Sequence, residues 1–125
     1  MRERTQESTP LIYKIVPAKL WREAEAKGIF EGAPLDLVDG FIHFSSAAQV
    51  RETAAKHFAG QDDLLLVAID PAKLGDASQF LRCEISRGGA LFPHLYAPLP
   101  LAAVCSIKPL PRGRDGAHLF PEEIP

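Results

Sequence analysis

The 125-residue chain is 46% hydrophobic and 24% charged, an ordinary composition for one globular domain with a core of its own. Its net charge of −2 gives no electrostatic footprint for nucleic acid or an anionic membrane, and no apolar run approaches the ~18 residues of a membrane span. The opening residues lack a secretory apolar stretch, and Cys83 and Cys105 stand apart without CxxC spacing, so the expectation is a cytoplasmic protein with reduced, buried thiols.

Residues 1–10 are polar and read as a flexible lead-in. A first strand is predicted over 11–16, where Leu11, Ile12, Tyr13, Ile15 and Val16 surround Lys14. Pro17 suits a helix start, and Leu20, Trp21 and Ala24 give one apolar face to a helix over 18–27 closed by Gly28. Residues 30–38, with Gly32, Pro34 and two aspartates, read as a loop. Asp39-Gly40 then marks a turn, and Phe41-Ile42-His43-Phe44 a short buried strand. Ser45 or Ser46 offers a hydroxyl to cap a second helix over 46–58, with Ala47, Val50, Ala54 and Phe58 on one face.

The run 64–69 is short and wholly apolar, as in a strand covered on both faces. One helical turn follows Asp70-Pro71, and strands are expected over 79–84 and 104–108. Between them His94 follows Pro93 in a loop-like setting beside Phe92, Leu95 and Tyr96. Residues 111–125 read as an irregular tail beyond a single domain over 11–110. Helices do not alternate with strands to the end. That pattern disfavours a doubly wound parallel sheet and predicts an α+β fold, a small mixed or split sheet with two early helices. Trp21, Phe41, Val50, Phe58, Leu66 and Ile107 are expected to be buried together.

No GxSxG, GxGxxG, P-loop or HExxH is present, so elbow-type hydrolase, dinucleotide-fold, NTPase and zincin chemistry lack support, and no spacing asks for a metal. The polar residues in apolar settings are the remaining candidates. His43 is either a satisfied core-edge histidine or an imidazole facing a cleft. His94 and Tyr96 carry polar tips on apolar bodies, as small-molecule sites do. Glu84 ends a strand, and Lys14 interrupts one as an edge residue would.

The series Ile12-Tyr13-Lys14-Ile15, Trp21, Ala24, Gly28, Asp39 to Ser45, Gln49, Glu84 and Phe92-Pro93-His94-Leu95-Tyr96 resembles the bacterial domain-of-unknown-function family 952, over residues 11 to about 110. Cys83 stands where that pattern has Trp. The family in turn resembles the ADP-ribosyltransferase fold, and within it the RNA 2′-phosphotransferase branch. This likeness implies NAD or a related nucleotide as substrate, held between two small sheets. It implies His43, Glu84 and His94 as catalytic candidates and Tyr13, Lys14, Asp39, Ser45 and Tyr96 as ligand-binding candidates, with a small molecule as partner; the net charge and the lack of a long apolar run give the expectation of neither nucleic acid nor membrane. The alternative is a non-catalytic nucleotide-binding module on the same fold.

Overall fold

The computed structural model describes residues 10–86 and 88–121. Its strands are β1 (Ile12–Pro17), β2 (Ile29–Phe30), β3 (Ile42–His43), β4 (Leu64–Ile69), β5 (Leu81–Ile85), β6 (Leu91–Leu95), β7 (Leu99–Pro100) and β8 (Val104–Pro109). Its α-helices are α1 (Ala18–Lys27), α2 (Pro34–Asp39) and α3 (Val50–His57). The strands form three small sheets, β1-β4-β8, β2-β7 and β3-β6-β5, and all these pairings are antiparallel. The α+β class and the split sheet are as expected; the sheets are antiparallel and not mixed.

The β1-β4-β8 sheet is the spine. Side chains alternate across a strand, and here both faces are covered. Ile12, Val16, Val67 and Ile69 pack with Trp21, Phe30, Phe44, Ile42, Leu95 and Leu99, under α1 and the two smaller sheets. Tyr13, Ile15, Leu64, Leu66 and Ala68 pack with Val50 and Ala54 of α3 and with Leu110. This double cover is why residues 64–69 are apolar throughout. The core is therefore two clusters. Trp21 lies in one, and Val50 and Leu66 in the other. Phe41 and Phe58 are only half-buried and Ile107 is 41% exposed, so these three depart from the expected single core. Cys83 and Cys105 are exposed, not buried.

α1 has its expected bounds, with Ala18, Trp21 and Ala24 inward and Gly28 at φ 83°, its N–H bonded to the Ala24 carbonyl. The predicted 30–38 loop is instead partly ordered: Pro34 opens α2, where its missing N–H costs nothing. Asp36 Oδ2 accepts from the Ala33 N–H at 2.7 Å, and Gly40 (φ 87°) closes the helix. α3 starts at Val50, four residues later than expected, and no serine caps it. Residues 75–80 form a 3₁₀ turn, so β5 begins at Leu81 and not at 79. His94 lies in strand β6, not in a loop. Among the described residues no helix is long and apolar enough to cross a membrane.

Candidate functional site

The β3-β6-β5 sheet carries the candidate chemistry on one face. In β6, His94 lies opposite His43 of β3 on one side and opposite Arg82 of β5 on the other. Residues paired across antiparallel strands project to the same face, so Arg82, His94 and His43 make one row across the sheet. The neighbouring row, Leu81, Leu95 and Ile42, faces the core. Glu84, two residues beyond Arg82, shares the polar face.

Phe41, two residues before His43, is half-buried and packs its ring against this cluster. Its ring stacks on His94 at 4.2 Å and 29°, and meets those of His43 and Tyr96 at 4.6 and 5.0 Å. The two imidazoles stand edge to face, 5.4 Å apart.

The histidines are held differently. Nδ1 of His94 lies 2.9 Å from Glu84 Oε1, and the same oxygen accepts the Tyr96 hydroxyl at 2.6 Å. The Tyr96 and His94 bonds hold the Glu84 carboxyl below its usual range, and the Glu84 bond pushes the Tyr96 phenol up. Glu84 is thus an ionised acceptor and Tyr96 a donor. An ionised carboxylate cannot donate, so the proton of this contact sits on Nδ1. In the neutral ring Nε2 is then a bare lone pair, and it has no hydrogen-bond partner among the described residues.

His43 is clamped from both sides. Nδ1 is 2.6 Å from Asp36 Oδ1 and Nε2 is 2.9 Å from Asp39 Oδ2. Both bonds form together only when both ring nitrogens carry protons. Asp36 is the buried hub. It also accepts from the His43 and Ala33 backbone N–H groups and pairs with Lys14 Nζ at 3.1 Å. Burial pushes its carboxyl up, but the His43 bond, the Lys14 charge and the backbone bonds outweigh burial and hold it below the usual carboxylate range. Burial lowers the Lys14 ammonium from its ordinary range, and Asp36 opposes that shift.

Of the expected site residues, His43, His94, Glu84, Tyr96 and Asp39 come together, with Lys14 beneath them. Lys14 is no solvent-facing edge residue: its ammonium points inward to Asp36 and the His43 carbonyl. Tyr13 and Ser45 do not join the cluster. Tyr13 packs with Val50 and Leu66, and the Ser45 hydroxyl meets Thr53 at 2.9 Å. Asp36, Phe41 and Arg82 were not among the expected site residues. For Asp36 the sequence held a signal, an acid at the third position after Ala33, with Pro34 opening the helix. An open depression of about 640 Å³ lies elsewhere, bordered by Asp62, Leu64, Leu110, Arg112, Arg114 and Gly116 among others, and no cluster residue borders it. Among the described residues no three His, Cys, Asp or Glu side chains converge as metal ligands.

Several solved structures are similar to this chain. A crystal structure of protein CC0527 from Caulobacter crescentus is 48% identical, covers 87% of this chain and 93% of that one, and superposes with a TM-score of 0.79. The crystal structure of a double mutant of CC0527 gives 47% identity with the same coverage and TM-score, and its solution NMR structure gives 47%, 86% and 90% coverage, and 0.74. No curated protein matches. The family described as protein of unknown function (DUF952) matches residues 15–107, about three-quarters of the chain, and the chain belongs to that family.

Proposed function

We propose that the His94–Glu84–Tyr96 arrangement is the catalytic centre of a hydrolase or transferase acting on NAD or an ADP-ribose-containing compound. The observation that carries this reading is His94: Nδ1 anchored by a carboxylate, Nε2 without a partner among the described residues, and the ring stacked on Phe41. An imidazole held this way is pre-set as a general base. Oε2 of Glu84 has no hydrogen bond among the described residues, and the carboxyl is half-exposed, so it can face a developing positive charge. The resemblance to the ADP-ribosyltransferase fold supplies the substrate class.

In the hydrolytic case the C1′–N bond of NAD breaks and its electron pair leaves with nicotinamide, whose ring becomes neutral. Glu84 stabilises the oxocarbenium-like ribosyl centre. Water adds at C1′ and gives its proton to Nε2 of His94. NAD and water become ADP-ribose, nicotinamide and a proton.

The second reading, a nucleotide-binding module without chemistry, draws on Lys14. This ligand-binding candidate is turned inward to Asp36 and leaves its charge away from any pyrophosphate. Nicotinamide release from NAD, followed chromatographically for the wild type, Glu84→Gln and His94→Asn, separates the two. Release by the wild type that falls by about 100-fold or more in both variants supports the enzyme. Binding of NAD or ADP-ribose without release supports the module. Neither binding nor release rejects both.

A further inference from the structure

Lys14 leaves the cluster without an outward cation, but Arg82 supplies one. Arg82 is exposed, shares the face of Glu84 and is the cross-strand partner of His94. It makes no ion pair or hydrogen bond to any described residue. Its charge still reaches Glu84 and Tyr96, adding slightly to the downward shift of the carboxyl and partly opposing the upward shift of the phenol. A guanidinium near a carboxylate but not engaged by it keeps its planar fork of donors for a ligand.

We propose that Arg82 is the anion-recognising residue of this site, and that the ligand's phosphate or pyrophosphate lies over β5 against it while the neighbouring sugar lies over His94 and Glu84. This rests on the functional reading above and assigns the pyrophosphate of that substrate to a named residue. The spacing agrees: directly paired strand residues are about 4.5–5.5 Å apart, and in NAD the pyrophosphate is joined through C5′ to the ribose whose C1′ reacts. Arg82 then sets which molecules bind, and His94 and Glu84 set what happens to them.

The test is a titration of the whole chain with sodium pyrophosphate, followed in ¹H–¹⁵N NMR spectra that include the arginine Nε–H signals. Pyrophosphate needs no NAD chemistry, so the result is independent of nicotinamide release. The expected result is a saturable shift of the Arg82 Nε–H and of the amides of residues 82–84. Affinity should fall about tenfold or more in Arg82→Gln and less in Arg82→Lys, which keeps the charge but loses the bidentate fork. Arg82 is exposed, so the variant spectra should otherwise overlay the wild type. Equal affinity in Arg82→Gln, shifts confined to residues 112–114, or no saturable shift in the wild type would each overturn the proposal. Loss of pyrophosphate binding in Arg82→Gln without nicotinamide release by the wild type would uphold Arg82 and reject the glycosidic chemistry.

Discussion

His43 and His94 face each other across the β3–β6 pair with ring centroids 5.4 Å apart, yet one imidazole has both nitrogens engaged and the other only one. The difference assigns them separate work. His43 ties the sheet to α2 through Asp36 and Asp39, and His94, with its side chain 8% exposed, keeps Nε2 without a partner among the described residues.

The two histidines should therefore fail differently. His43→Ala removes a bond from buried Asp36 and is expected to cost about 1–3 kcal/mol of stability. His94→Asn keeps a polar side chain on Phe41 and should lose function out of proportion to stability. Urea unfolding of both variants, beside NAD or ADP-ribose binding and turnover, checks this. Equal stability losses with equal functional losses would contradict the division.

Asp36 should be the most sensitive polar position. Replacing it with Ala leaves the Lys14 ammonium buried beside the His43 carbonyl with no counter-charge. Breaking a buried pair from one side typically costs about 3–5 kcal/mol. Lys14→Met should cost less, because Asp36 keeps His43 and two backbone N–H groups. Urea unfolding midpoints decide the order, and a larger loss in Lys14→Met would contradict it.

Acid should act through the same carboxyl. The folded-state pKa of Asp36 is lowered, so its stabilising contribution is present above the unfolded value of about 4 and is lost as pH falls through the folded value. Glu84 shifts in the same direction. Stability should therefore hold from neutral pH down to about 4 and decline below it. The decline should be shallower in Asp36→Asn, measured relative to its own neutral value. Parallel curves would mean that Asp36 is not held ionised by its neighbours.

The fold was legible where pattern and environment agreed. α1 and β4 have their expected bounds, because the 3.6-residue period of Trp21 and Ala24 and the run Leu64 to Ile69 each meet a matching environment. Pro93 makes a loop the expected setting for His94, because proline is disfavoured inside a sheet. Pro93 is tolerated because its carbonyl accepts from Phe44 on the β3 side, and its missing N–H falls on that same side, where β3 is two residues long. Asp36 was hidden for a similar reason. Gly32 and Pro34 signal a loop, while a six-residue helix leaves too short a period to read. The histidine pair is expected from two separated segments, with Glu84 and Asp39 beside it; the Glu84–His94 contact depends on the β5–β6 register, which no local pattern encodes, and Asp36 and Asp39 reach His43 from α2.

The two-cluster core revises what the large aromatics contribute. Trp21 is buried against Phe30, and Trp21→Ala should cost about 3–5 kcal/mol. Its indole N–H has no partner among the described residues, so Trp21→Phe should lose far less. Phe58 is half-buried at the margin of the other cluster, and Phe58→Ala should cost below about 2 kcal/mol. Chemical denaturation of the three variants measures the ranking, and a Phe58→Ala loss equal to that of Trp21→Ala would contradict it.

Ligand should bind and react on the polar face of the β3-β6-β5 sheet, and a ¹H–¹⁵N NMR titration with ADP-ribose locates it. Shifts are expected at Phe41 to His43, Arg82 to Glu84 and His94 to Tyr96, saturating together and lost in Arg82→Gln. Shifts gathered instead at residues 62–64 and 109–116, around the separate depression, or no shifts at all, would contradict it.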